Sequence, residues 1–163
     1  GGSLDGVTPV LFTGARYRYL FFETAEWAAR FSENLRWYTD DGWESLFRLE
    51  LDRELGETFL GRLQFTSNWY QDQPGVRYGF GPVVFQRLSE RRVIRYEALS
   101  NWTTQPEKQL TDVQLRARYR QRLWRDWVFG EVAPELIFPR TADYDVTPGI
   151  LLRLDVYFSE RHL

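Results

Sequence analysis

Apolar and polar residues alternate along most of this chain. The stretch QLRARYRQRL (Gln114 to Leu123) shows the pattern clearly, because every second residue in it is an arginine. A helix would scatter these arginines around its circumference, whereas a strand places all of them on one face. The stretch therefore predicts a strand with two unlike faces. The cationic face carries Arg116, Arg118, Arg120 and Arg122, and the opposite face carries Leu115, Ala117 and Tyr119.

The same period of two recurs along the chain and predicts nine strands, with no helix of useful length. Several of these segments are longer than the five or six residues typical of soluble domains and suit strands that cross a membrane at a tilt. Three residues fit poorly, since Pro82 and Pro134 lie inside strands and Glu33 lies on an apolar face. The predicted strands are residues 10–23, 28–38, 43–52, 58–70, 75–87, 92–102, 112–123, 127–138 and 148–158.

Short polar segments join these strands, as hairpins require. The connections TAEW, RELGE, LSER and WRD are tight, and they alternate with TDDG, QDQPG and the longer loops TTQPEKQLT and PRTADYDVT. No interdomain linker interrupts the pattern. The chain is therefore predicted to be all-β, an antiparallel up-and-down barrel with 8–10 strands. Residues 10–158 would form the barrel, between a flexible tail at 1–9 that begins with the linker-like string GGS and a second tail at 159–163.

Alternation alone does not say whether the apolar face points to a protein core or to lipid, because the two kinds of barrel share the same period. The size of the apolar side chains favours lipid, since an eight-stranded barrel has an interior only just wide enough for ordinary side chains. All seven tryptophans lie at or beside predicted strand ends, where a transmembrane barrel carries its aromatic girdles. The sequence thus predicts a membrane barrel whose polar face lines the lumen.

Parity assigns individual residues to the two faces. On strand 127–138, Val128, Val132, Leu136 and Phe138 are predicted to face lipid, together with Leu115, Ala117 and Tyr119, while Phe129 joins the lumen set. The residues predicted to line the lumen are Arg95, Glu97, Arg116, Arg118, Arg120, Arg122, Glu131, Glu135, Arg153 and Asp155. Glu131 and Glu135 share a face with the arginine row, so we expect arginine–carboxylate pairs there.

The wider lumen set contains more cations than acids. Its arginines are Arg16, Arg18, Arg30, Arg36, Arg48, Arg62, Arg77, Arg87, Arg95, Arg116, Arg118, Arg120, Arg122 and Arg153, and its acids are Glu44, Glu50, Asp52, Glu97, Glu131, Glu135 and Asp155. Because this excess leaves pairing incomplete, we expect a hydrated interior of positive potential, strongest along Arg116 to Arg122. An open pore lined in this way would favour anions.

Composition narrows the function classes. The chain has 163 residues, a formal charge of −2 and one lysine, Lys108, against twenty arginines. This charge balance is not typical of a nucleic-acid-binding protein. Tyr119 also lies on the face opposite the arginines, so it could not stack on a base whose phosphates those arginines bind. There is no cysteine, and the single histidine is the penultimate residue, His162, so neither thiolate nor histidine-based catalysis is expected. Methionine is absent even at position 1, which is consistent with a processed or excised segment.

No cofactor or metal is predicted. The acidic loop tips TDDG and TADYD serve as hydrated turns, with divalent-cation binding as the alternative. Glu131 and Glu135 would be arginine partners, with acid–base chemistry as the weaker alternative, and the chain is predicted not to be an enzyme.

The C-terminal stretch GILLRLDVYF alternates cleanly and ends on the aromatic residue Phe158. It resembles the terminal strand of Gram-negative outer-membrane barrels, which the barrel-assembly machinery recognises, although SERHL follows the aromatic residue here. The longer stretch DWVFGEVAPELIFPRTADYDVTPGILLRLDVYF resembles the end of uncharacterised proteobacterial outer-membrane barrels. This resemblance implies the outer membrane as location, and its lipid and lipopolysaccharide as surroundings. It brings no known activity.

Three function classes remain open at this point. The chain could be a structural barrel or a narrow anion-favouring pore of the outer membrane. It could instead be a soluble barrel that binds a small molecule. Since bacterial single-chain barrels have an even number of strands, nine strands also allow an excised or redesigned part of a larger barrel without activity of its own, or two copies that complete a shared barrel.

Overall fold

Nine antiparallel strands form one sheet in the computed structural model, which describes residues 11–125 and 127–157. The strands are β1 (Phe12–Glu23), β2 (Trp27–Tyr38), β3 (Gly42–Glu54), β4 (Phe59–Tyr70), β5 (Val76–Ser89), β6 (Arg92–Thr103), β7 (Gln109–Trp124), β8 (Val128–Pro139) and β9 (Thr147–Val156), with a short 3-10 turn at Arg140–Ala142. No helix in this part of the chain has the length and hydrophobicity to span a bilayer.

The predicted nine strands and their up-and-down order are confirmed, with bounds that agree within about three residues. The largest difference is at β7, which begins at Gln109 and takes up the last three residues of the predicted loop TTQPEKQLT. The two predicted tails and Phe158 lie outside the described residues.

The sheet has two edges. Each strand pairs with its neighbours in sequence, from β1 to β9, and no ladder joins β1 to β9 within the described residues. All twelve residues of β1 are exposed, and so are nine of the ten in β9. Closure into a barrel therefore stays a prediction. Because the number of antiparallel strands is odd, β1 and β9 run in the same direction.

Register confirms the predicted division into two faces. Directly opposed residues of neighbouring strands share a face: Tyr119 lies opposite Val132 on the apolar face, and Arg122 lies opposite Phe129 on the polar one. The misfit Glu33 does lie on the apolar face, where its carboxylate accepts a hydrogen bond of 2.6 Å from the Ser45 hydroxyl. A neighbouring polar side chain thus accommodates this charge.

Burial distinguishes the two faces. The buried side chains belong to the polar face, whereas large apolar side chains of the other face, such as Leu63 and Phe80, are about half exposed. With a single sheet, side chains can be buried on one face only if the sheet curls toward it. The polar face is therefore the enclosed one. Its buried residues are Ala28, Asp52, Gln64, Gly79, Gly81, Val83, Glu97, Glu131 and Ala133.

One row of directly opposed residues crosses the enclosed face from β2 to β9, and we call it the central belt. Acids, arginines and small apolar residues alternate along it, so that each charge has an oppositely charged or a compact neighbour. The central belt is Ala28, Asp52, Arg62, Val83, Glu97, Arg116, Glu135 and Gly149. Val83 at its centre is fully buried.

Pro82 and Pro134 are both kept in interior strands, contrary to the expectation that a central strand excludes them. The β5–β6 ladder skips Gly81 and Pro82, and the β7–β8 ladder skips Ala133 and Pro134, but the register on either side is retained. Each missing N–H is thus confined to a local interruption in the pairing. At the first interruption the strands lie so close that a Cβ on Gly81 would collide with the backbone carbonyl of Ala98.

This close approach predicts that Gly81→Ala destabilises the sheet. Backbone must move to admit the methyl group, so we expect a loss of about 1–3 kcal/mol in unfolding free energy, measured by urea titration in detergent or lipid. Gly61→Ala is the matched control, because its Cβ meets only the flexible end of Leu55, and it should stay within about 1 kcal/mol of the unsubstituted protein. Equal effects of the two substitutions would contradict this reading of Gly81.

Candidate functional site

The predicted lumen residues share one face of β6 to β9. Register places Arg95 opposite Arg118 and Glu97 opposite Arg116. It also places Glu131 opposite both Arg120 on β7 and Arg153 on β9. The structure therefore brings together the whole predicted set: Arg95, Glu97, Arg116, Arg118, Arg120, Arg122, Glu131, Glu135, Arg153 and Asp155. We call this set the arginine–carboxylate face.

Two buried carboxylates, Glu97 and Glu131, lie against two of its arginines, Arg95 and Arg118. Glu97 Oε1 lies 2.9 Å from Arg95 Nε and 4.0 Å from Arg118 Nη2, and Glu131 Oε1 lies 3.3 Å from Arg118 Nε. Glu97 is 7% exposed and Glu131 is 5% exposed. Since Arg95 and Arg118 are direct cross-strand neighbours, the two acids offset a repulsion that the register itself creates.

The contacts around these two acids are mainly electrostatic. Arg95 donates an Nη2 hydrogen bond of 3.1 Å to Glu97 Oε2, but the closer Nε approach to Oε1 lacks hydrogen-bond alignment, and so does the approach of Arg118 to Glu131. Aligned bonds would add strength and fix the geometry. This part of the face is therefore held by charge more than by a rigid hydrogen-bonded framework.

The remaining arginines of the row have acids or aromatic rings beside them. Arg116 Nη2 lies 2.6 Å from Glu135 Oε2, and Arg120 Nη2 lies 3.4 Å from Asp155 Oδ2. The Arg120 guanidinium also lies 4.7 Å from the Phe129 ring centroid. Asp155 in turn accepts a bond of 2.6 Å from Arg153 Nε. Arg122 occupies the same row opposite Phe129. Positive charge along Arg116 to Arg120 is thus locally offset by carboxylates.

A second ion cluster lies on β2 to β4, and all of its members belong to the wider predicted lumen set. Asp52, which is 3% exposed, accepts 2.6 and 2.9 Å bonds from Arg62 and a 2.7 Å bond from Arg30. Arg62 also donates a 2.8 Å bond to Glu50. The two clusters meet at Phe85, whose ring centroid lies 5.2 Å from the Arg62 guanidinium and 5.4 Å from that of Arg95. Phe85 therefore separates two cations and attracts both.

Two residues of the enclosed polar face, Asp112 and Phe85, were not among the predicted lumen residues. Asp112 lies opposite Asn101 and accepts bonds of 2.7 Å from Asn101 and 2.9 Å from Gln114. Its even position in β7 was a usable signal, because it shares the parity of the arginine row. Phe85 was harder to predict. An aromatic residue on a polar face looks like a departure from the alternation unless the arginines beside it are known.

The face offers a wall of alternating guanidinium and carboxylate groups. In the described residues, no group of three or more histidine, aspartate or glutamate side chains is arranged to hold a metal ion, and His162 lies outside them. Glu131 and Glu135 each lie against an arginine, as the predicted pairs require. What the arrangement can do chemically is bind water and small ions through guanidinium and carboxylate groups.

Comparisons with known proteins give a likeness in fold. No family model matches the sequence, and no curated protein matches it significantly. Among solved structures, the chain is similar to one described as "Bacterial polysaccharide outer membrane secretin", with a TM-score of 0.57 and 14% sequence identity. The match covers 92% of this chain and 58% of that one, so this chain spans little more than half of its neighbour. At this identity the likeness concerns the all-β fold alone.

The buried acid between two opposed arginines leads to a stability prediction. Glu97→Gln keeps the side-chain volume but leaves Arg95 and Arg118 facing each other, so we expect a loss of about 2–3 kcal/mol in unfolding free energy. Glu44→Gln is the matched control, because its ion partner Arg36 is 3.7 Å away and 41% exposed and the glutamine carbonyl can still accept the Tyr38 hydroxyl bond, so it should cost less than about 1 kcal/mol. Urea unfolding of both variants measures the difference, and similar losses would contradict the assigned role of Glu97.

Proposed function

We propose that this chain builds the wall of an outer-membrane β-barrel, with its apolar face in lipid and its arginine–carboxylate face toward an aqueous interior. The observation that carries the proposal is the inverted burial of the sheet. Charged residues are enclosed, while apolar side chains such as Leu63, Phe80 and Tyr96 are 42–51% exposed on the outer face. In water this face would be an apolar patch far larger than soluble monomers expose, and lipid would cover it.

The tryptophans support this placement. Six of them lie on the apolar face in two bands: Trp37, Trp43, Trp69 and Trp102 at one end of the strands, and Trp27 and Trp124 at the other. Trp127 lies in the turn before β8, at the end of the second band. Trp27 and Trp37 are ten residues apart on β2, which is about 33 Å along the strand. A tilt of about 40° reduces this to roughly 25 Å, the height of the apolar band of a transmembrane barrel.

The fold neighbour supports the same setting by analogy, since its description places it in the outer membrane. The two open edges support a wall that continues beyond these nine strands. Closure of one copy on itself needs a parallel contact between β1 and β9, and two copies related by an axis along the barrel would also meet in parallel. If an odd number of strands from elsewhere in a larger barrel completed the wall, the total would be even. Both β1 and β9 could then pair with antiparallel neighbours.

The charge balance of the enclosed face supports an anion-favouring interior when a pore is open. The predicted lumen set holds twice as many arginines as acids, and Asp112 reduces this excess only slightly. Rings of arginine favour anions in pores. If the interior is closed, the same ion pairs form a plug and the role is structural.

The assembly partners follow from the same proposal. Lipid and lipopolysaccharide would surround the apolar face, and the barrel-assembly machinery would recognise the C-terminal strand. A soluble barrel that binds a small molecule is the other class, and the exposed apolar face opposes it. Monodisperse behaviour of the purified protein without detergent would overturn the membrane proposal.

Two neighbouring residues of β9 can test which face of the sheet meets lipid. Leu152 is 70% exposed on the apolar face of β9, and Leu151 is 49% exposed on the polar face. Leu152→Arg should cost about 2–4 kcal/mol of folding stability in lipid vesicles, if the site lies near the bilayer midplane. Leu151→Arg is the matched control and should cost less than about 1 kcal/mol, because it faces the aqueous side. Unchanged stability of Leu152→Arg would count against this facing.

Ion selectivity tests the interior. In planar bilayers with a potassium chloride gradient, we expect a reversal potential that favours chloride. Replacing Arg118 and Arg120 with glutamine should weaken this preference, because the acids beside them would remain. The matched control replaces Arg53 and Arg92, which lie on the apolar side by register, and should leave the potential unchanged. Cation selectivity would overturn the anion-favouring pore, and folded protein that never conducts would leave the structural role.

A further inference from the structure

Three arginines of the enclosed face differ from the rest. Arg16 and Arg18 on β1 and Arg48 on β3 make no ion pair or hydrogen bond with any other described residue, whereas Arg30 and Arg62 beside them are bound to Asp52. The alternating arginines predict the strongest positive potential along Arg116 to Arg122. The structure offsets much of that row and leaves the unpaired charge at the β1 side of the sheet.

Register brings two of these arginines to one hydroxyl group. Arg18 lies directly opposite Ser32, and Ser32 lies directly opposite Arg48, so that the three residues form one row across β1, β2 and β3 on the same face. With neighbouring strands about 4.8 Å apart, the Cα atoms of the two arginines are roughly 10 Å apart. Flexible side chains can converge from both sides over Ser32.

An open cavity of about 570 Å³ lies over this row. Its lining includes the polar residues Arg16, Arg18, Arg30, Ser32, Arg48 and Glu50. Glu50, the acid in this lining, is already bound to Arg62 at 2.8 Å, and Arg30 is bound to Asp52 at 2.7 Å. The groups left for a ligand are therefore three guanidiniums and a hydroxyl, which together offer many hydrogen-bond donors and a charge of about +3.

We propose that Arg16, Arg18, Ser32 and Arg48 form a binding site for an oxyanion, meaning a phosphate, sulfate or carboxylate group on a solute inside the enclosed face. The planar guanidinium fork pairs with two oxygens of such a group at once, which lysine does not do. The site rests on the proposed function only in that the polar face is the interior surface. It deepens that function by naming the class of solute that the interior retains.

The test measures equilibrium binding, so that it does not depend on conduction. Isothermal titration calorimetry of the detergent-purified protein, at constant ionic strength, uses two probes: inorganic phosphate and a short oligogalacturonate. The first represents free or lipid-borne phosphate, and the second represents an acidic saccharide. We expect saturable binding of at least one probe, and the stronger one identifies the source of the oxyanion. Absence of saturable binding for both probes would overturn the site, whether or not the barrel conducts.

Charge-matched variants separate a built site from general attraction. Replacing Arg18 and Arg48 with glutamine should weaken binding by about tenfold or more. The control replaces Arg77 and Arg87, which also lie on the enclosed face but bind Gln73 and the Glu57 carbonyl, and should change affinity by less than about twofold. Equal weakening in both double variants would overturn the site, because loss of net charge would then explain it.

A third variant keeps the positive charge but removes the planar guanidinium group. Arg48→Lys retains the cation but loses the two-pronged donor, so affinity should fall severalfold while far-UV circular dichroism and heat-modifiable migration stay as in the unsubstituted protein. This variant also serves if the double replacement fails to fold. Unchanged affinity of Arg48→Lys would show that no oriented contact exists, and would overturn the proposal.

Discussion

Pairing of buried carboxylates with arginines is the interaction on which the rest of this structure depends. A sheet can curl toward its charged face only if those charges are offset, because isolated ions out of water cost several kcal/mol each. Asp52 offsets Arg30 and Arg62, and Glu97 stands between Arg95 and Arg118. Without these acids, direct cross-strand neighbours of like charge would repel each other just where the sheet is most tightly enclosed.

The inverted burial has a consequence for the other face. Large apolar side chains that would form the core of a soluble protein are displayed outward, and the belt of small residues and ion pairs replaces that core. Such a sheet needs an apolar surrounding on one side and water on the other. Its open edges also carry unpaired backbone groups, which a membrane interior does not tolerate. The proposed barrel wall would satisfy both requirements together, with lipid on one face and further pairing at β1 and β9.

Charge is distributed unevenly within the enclosed face, and this divides it into two parts. On β6 to β9 the arginines and acids interleave, which favours cohesion. On β1 to β3 unpaired arginines gather around Ser32, which favours an external anion. In the proposed barrel wall, cohesion and interaction with a solute would be separated in this way, because a cation already paired in a low-dielectric setting has little attraction left for a third group.

The alternation of side chains by itself determined the strand number, the two faces and the strand-end tryptophans, because a period of two leaves no other regular structure. It did not decide which residues meet. The β-bulge between Arg122 and Trp124 turns Trp124 to the apolar face, although strict alternation from Arg122 would place it with the arginines. Register likewise set Arg95 opposite Arg118 and left Arg18 and Arg48 beside Ser32. These pairings depend on bulges, turn lengths and curl, which involve distant residues, so only the tertiary structure could decide them.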